Sequence, residues 1–94
     1  MPRKNIDLEA RKLLYECFAK VKPADLPDLF ESLMSSAELK DLSRRIMAAK
    51  LLKLGYTYDD IADMMGMSEG TINKIHFKTK GSPTIRKILS KSPK

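Results

Sequence analysis

The chain has 94 residues, 43% apolar and 32% charged, a balance too apolar for a disordered polymer and sized for a single domain, 1–94. Eighteen Lys and Arg against twelve Asp and Glu leave a net charge of +6, which makes an acidic partner worth considering without identifying one. The one cysteine, Cys17, excludes an intrachain disulfide; no apolar run approaches the ~20 residues of a membrane span and no signal peptide opens the chain, so a reducing, cytoplasmic setting without a membrane partner is expected.

After a basic start at residues 1–4, Asp7 is a candidate cap for a helix in which Leu14, Phe18 and Val21 recur at i, i+4 and i+7. Lys22-Pro23 should end it, because the residue before a proline is pushed out of the helical region. Leu26, Leu29, Phe30, Leu33 and Met34 make a second apolar stripe, with Pro27 tolerated in its first turn. Ser35-Ser36-Ala37-Glu38 reads as a capping box that opens the longest helix, 36–54, with Leu39, Leu42, Ile46, Ala49 and Leu52 down one side. Gly55 is placed to end that helix in a left-handed cap. A last helix, 82–91, should begin at Ser82-Pro83 and hold Ile85, Ile88 and Leu89, followed by the polar, basic tail "SKSPK". No β-alternation and no internal repeat interrupts this pattern, so the fold class is all-α, with about six helices.

The stretch "GYTYDDIADMMGMSEGTINKI" lies between the last two of these segments. Thr57 with Asp60 starts a helix holding Ile61, Met64 and Met65, and Ser68 caps a second one holding Ile72 and Ile75. Two brief helices around Gly66 fit a helix-turn-helix over 57–78, in which each position has a steric cause. Ala62 is small where the second helix crosses the first, Gly66 supplies the left-handed turn, and Ile61, Met65, Ile72 and Ile75 attach the pair to the core. Such a pair pushes its second helix outward into a DNA major groove; a plain helical hairpin would use the same small residue and glycine.

With those apolar positions inward, Ser68, Glu69, Gly70, Thr71, Asn73 and Lys74 occupy the exposed start and outer side of the second helix. Gly70 lets a backbone approach closely, Asn73 can pair with adenine, and Lys74 can reach guanine or a phosphate. Thr57, Tyr58, Lys78 and Lys80 are candidates for phosphate contacts, which position without specifying. For each of these the plain alternative is a solvated polar face, the role that also suits cations such as Lys40, Arg44, Arg45, Lys50 and Lys53 on the long helix.

From about Leu26 to Leu89 the chain resembles the Trp repressor superfamily, and especially its tryptophan-repressor-like branch, the YerC/YecD type. The residues that carry the resemblance are "DLFESLM", "SSAELKDLSRRIMAAKLLKLG", the helix-turn-helix and the proline-opened "SPTIRKIL", about two-thirds of the chain. The resemblance implies six helices in an interlocked homodimer, with the helices within 7–34 serving dimerisation and two reading helices entering successive major grooves. It also implies a repressor's effector pocket, in which Ser35 and Arg45 match the hydroxyl and arginine that meet tryptophan. The opposite wall departs from the pattern: Lys74, Ile75 and Lys78 stand where the tryptophan-binding members have arginine, glycine and serine. Ile75 would take up volume the indole needs, and Lys78 would set a like charge near the ligand ammonium. Ser35 and Arg45 are therefore read as a vestigial pocket, L-tryptophan is not expected to bind, and no other effector is identified.

Catalytic chemistry has little support, so the protein is not expected to be an enzyme. His76 is the lone histidine and Cys17 the lone cysteine, which precludes a His/Cys metal set; His76 is expected at the surface or an interface and Cys17 in the core. Two function classes remain: a dimeric, sequence-specific regulator that binds double-stranded DNA, and a helical protein-interaction adaptor whose helix pair merely packs. Single-stranded RNA binding would need exposed aromatic platforms, for which Tyr56, Tyr58 and Phe77 are the candidates.

Overall fold

The computed structural model describes residues 5–90, and every regular element among them is helical. The basic start and the last four residues of the tail lie outside the described residues. Contacts divide the chain into two compact units, one running up to Ser36 and the other from Ala37 onward.

In the first unit, α1 spans Ile6–Lys20 with Asn5, not Asp7, at its N-cap position, where no side-chain cap bond forms. Asp7 sits inside the first turn, where its carboxylate meets the positive end of the helix macrodipole without serving as the cap. Val21 and Lys22 are both extended, with ψ of 140° and 151°, so the restriction imposed by Pro23 reaches back to end α1 at Lys20. A single 3₁₀ turn, Pro23–Asp25, leads into α2, Leu26–Leu33, with Pro27 in its first turn. Phe18 and Phe30 join the two helices edge to face, their ring centroids 5.2 Å apart. The apolar stripes otherwise stay open: no residue of α1 or α2 is buried, and Leu13, Leu14, Tyr15 and Leu33 are exposed. Cys17 is exposed too, which corrects its expected place in a core.

In the second unit, α3 (Ser36–Lys53), α4 (Tyr58–Met65), α5 (Glu69–Thr79) and α6 (Pro83–Leu89) surround a core of Ala48, Ala49, Leu51, Ile61, Ile72 and Ile75. Leu52, Tyr58, Ala62, Met65, Met67 and Leu89 pack against it. The expected stripe on α3 is corrected in part. Leu42 and Ile46 are 41% and 42% exposed, whereas Ala48 and Leu51, outside the stripe, are buried. The buried positions of α3 all lie in its last two turns, and two adjacent alanines there allow neighbouring helices a close approach.

Gly55, at φ 95°, ends α3 in a Schellman wrap: its N–H bonds the Leu52 carbonyl at 3.0 Å and the Tyr56 N–H bonds the Leu51 carbonyl at 3.1 Å. The last helix is shorter than the expected 82–91. Ser82 is its cap, accepting from the Ile85 N–H at 3.1 Å, and Ser90 is already extended, with residue 91 outside the described residues. Among the described residues no helix is long and apolar enough to cross a membrane.

Candidate nucleic-acid interface

The start of α4 is a complete capping box: Thr57 Oγ1 accepts from the Asp60 N–H at 3.0 Å, and Asp60 Oδ2 accepts from the Thr57 N–H at 3.3 Å. Ile61 drives the helix into the core, and Gly66 ends it at φ 60°, ψ 41°, the left-handed conformation expected of the turn. The Ala62 carbonyl accepts from the Gly66 N–H and, at 3.3 Å, from the Met67 N–H, so the chain wraps tightly before α5 begins. Arg44, read from sequence as a solvated position, is half-buried and donates to the Met65 carbonyl. A cation from α3 thus satisfies the C-terminal end of α4 beside the turn.

Ser68 caps α5, accepting from the Thr71 N–H at 3.1 Å while its hydroxyl donates to Thr71 Oγ1 at 2.9 Å. With Ile72 and Ile75 buried, the helix turns Glu69, Gly70, Thr71, Asn73, Lys74 and Lys78 to the exposed side. A Cβ on Gly70 would meet nothing closer than Ser68 Oγ at 3.9 Å, so packing within the chain does not require glycine there. Lys80 follows α5, its Nζ 5.9 Å from the centroid of Phe77, a ring 74% exposed. The expected readers and the expected phosphate contacts Lys78 and Lys80 therefore share one helix and its end, and Thr57 stays exposed at the start of α4.

Tyr58 behaves differently. It is half-buried, and its hydroxyl lies 3.1 Å from Asn73 Oδ1 and 2.8 Å from His76 Nδ1, with the Tyr58 and His76 rings edge to face at 5.9 Å. His76 is likewise half-buried and engaged. Sequence reading missed this cluster, although His76 stands three residues after Asn73 and so shares its side of the helix. At the opposite end of α5, the Asp59 carboxyl beside Glu69 raises the Glu69 pKa above its ordinary value, through a hydrogen bond first and like-charge repulsion second.

A cavity of about 460 Å³ opens beside α5, walled by Arg45, Met67, Lys74, Ile75 and Lys78 among others. Ile75 is 7% exposed because its side chain packs into the core, so it forms a wall of this space without filling it. Ile75 is therefore a smaller obstacle to an indole than expected, and the like charge of Lys78 is the obstacle that remains. Arg45 is bound to Asp41 at 3.1 Å, both side chains being largely exposed, and Ser35 directly precedes α3. Among the described residues no group of His, Cys, Asp and Glu could hold a metal ion.

Comparison with known families matches residues 9–92 to the description "Trp repressor protein", a match to the family as a whole that does not single out a branch. Neither the curated proteins nor the solved structures returned a match. With a capped α4, a left-handed Gly66 and a capped α5 whose polar side faces outward, and with that match spanning nearly the whole chain, the protein belongs to the Trp repressor family, a family of helix-turn-helix DNA-binding regulators.

Proposed function

We propose that the protein is a homodimeric transcriptional regulator that binds a specific double-stranded DNA site and acts as a repressor without requiring tryptophan. The observation that carries this reading is the division of α5: Ile72 and Ile75 fix one side in the core, while Thr71, Asn73, Lys74 and Lys78 face outward. Side chains held on a rigid helix with one polar side can enter a major groove and meet base edges. Lys78 and Lys80, toward the end of that helix, suit the phosphates that flank the groove, where each neutralised phosphate releases condensed counterion.

The dimer rests on the open apolar faces of α1 and α2. Leu14 and Leu33 are exposed and Phe18, Leu29 and Phe30 only half-covered, so a second copy is the natural cover for residues 7–34. Two copies related by a two-fold axis would set their reading helices about one DNA turn, roughly 34 Å, apart and favour a palindromic site. A cytoplasmic setting follows from that substrate.

The test separates reading from holding. Replacing Asn73 by Ala should cost about 0.5–1.5 kcal/mol, the worth of one hydrogen bond, on a preferred duplex selected from random sequence and little on random duplex. Replacing Lys80 by Ala should weaken both and flatten the dependence on salt. A parent protein indifferent to duplex DNA at low salt would favour the adaptor reading instead, and a stable monomer at micromolar concentration by light scattering would remove the dimer.

A further inference from the structure

The Tyr58 hydroxyl sits between Asn73 Oδ1, at 3.1 Å, and His76 Nδ1, at 2.8 Å, yet it has a single proton to donate. That count allows two fully satisfied arrangements. When Nδ1 of His76 carries a proton, it donates to the Tyr58 oxygen, the Tyr58 O–H donates to Asn73 Oδ1, and the Asn73 NH₂ points away from the cluster. When Nδ1 is bare, the Tyr58 O–H donates to it, and the Tyr58 oxygen then accepts from an Asn73 N–H. The carboxamide has turned over, and its carbonyl points away.

We infer that Tyr58 and His76 are positioning residues that set which end of the Asn73 carboxamide is offered to a base. The inference rests on α5 being the reading helix. An outward NH₂ donates to guanine O6 or N7, adenine N7 or thymine O4, whereas an outward carbonyl accepts from adenine N6 or cytosine N4. Asn73 is exposed and keeps one free end in either state, so it reads by one hydrogen bond whose sense His76 decides. The charged groups lining the small cavity that His76 shares are Lys53 from α3, Lys80 after α5 and Arg86 from α6, with no carboxylate beside them.

Two measurements on the full chain test this. The first needs no DNA: the ring nitrogens of His76 and the side-chain amide of Asn73 are followed by ¹⁵N NMR across a pH titration. The Asn73 amide signals should move with the same midpoint as His76 in the parent and lose that dependence in Tyr58→Phe, a substitution that keeps the ring in place. An Asn73 amide that ignores His76 in the parent, or follows it equally in Tyr58→Phe, overturns the inference. The second compares two duplexes that differ at the base pair facing Asn73, one offering an acceptor and one a donor, above and below that midpoint. The parent's preference between them should change by roughly 2- to 10-fold, the worth of one hydrogen bond, and Tyr58→Phe should keep one preference throughout. An unchanged preference in a DNA-binding parent also overturns it. If the amide follows His76 but the parent binds no duplex, the DNA-binding reading falls while the coupling stands.

Discussion

Gly66 offers the sharpest perturbation of the turn. Its φ of 60° and ψ of 41° lie inside the left-handed well, and a Cβ built there meets no heavy atom within 4 Å. The Cβ itself therefore creates no clash, and the main cost of substitution is the backbone conformation. That cost is about 1–2 kcal/mol for an ordinary L-residue and about 2–3 kcal/mol for a β-branched one, whereas Asn, which tolerates the left-handed region, should cost less than about 1 kcal/mol. At roughly 4–8 °C per kcal/mol for a chain of this size, Gly66→Val should lower the melting temperature by roughly 10–20 °C, and Gly66→Asn by only a few degrees. Thermal unfolding by circular dichroism, at one fixed protein concentration, measures both variants against the parent. Gly66→Val melting within about 3 °C of the parent would mean that position 66 has no need of a left-handed backbone. An Asn variant as damaged as the Val variant would mean the same, because the loss would then follow side-chain size and not backbone conformation.

Arg44→Met keeps the aliphatic stem but removes the donor to the Met65 carbonyl, and should lower stability by about 1–2 kcal/mol, read as a lower urea midpoint; an unchanged midpoint would mean that water replaces the guanidinium freely. Glu69 holds a proton in the folded state that the unfolded chain has already released just above the ordinary carboxylate range, so its contribution is present at lower pH and is lost as pH rises through its raised folded pKa. Asp59→Asn should flatten that fall in melting temperature as pH rises above the ordinary carboxylate range, and an identical profile in parent and variant would separate the two carboxyls. Added L-tryptophan should change the affinity for a preferred duplex by less than about twofold; a gain of about tenfold, or 1.4 kcal/mol, would show that the cavity beside Lys78 accepts it after all.

What the sequence made legible was mostly local. Thr57, Ser68 and Ser82 cap helices through hydroxyls that bond an N–H three residues on, and Gly55 and Gly66 turn left-handed, because each of these choices is decided within one turn of chain. Stripes were less reliable where an apolar pattern outran the surface available to cover it, as at Leu42, Ile46 and Cys17. Ala48 was overlooked for the opposite reason: a small residue adds little to an apolar pattern, yet close helix crossings need it. Arg44 to Met65 and Tyr58 to Asn73 and His76 span 21, 15 and 18 residues, distances fixed only once the helices are placed against one another. The exposed side of α5 could be listed from periodicity, but which of its amide ends is held inward could not.

The split personality of α5 bears on how such a protein can diverge. The residues that hold the helix, Ile72 and Ile75, are buried, whereas Thr71, Lys74 and Lys78 are exposed, so those outward positions can mutate with little effect on folding. A lineage could therefore drift toward new binding sites one substitution at a time while remaining well folded throughout. Asn73 is the exception, because its hydrogen bond to Tyr58 reaches back across the pair. A change there alters the partners of a half-buried hydroxyl and imidazole as well as the outward face, so positions 58, 73 and 76 should change together or hardly at all.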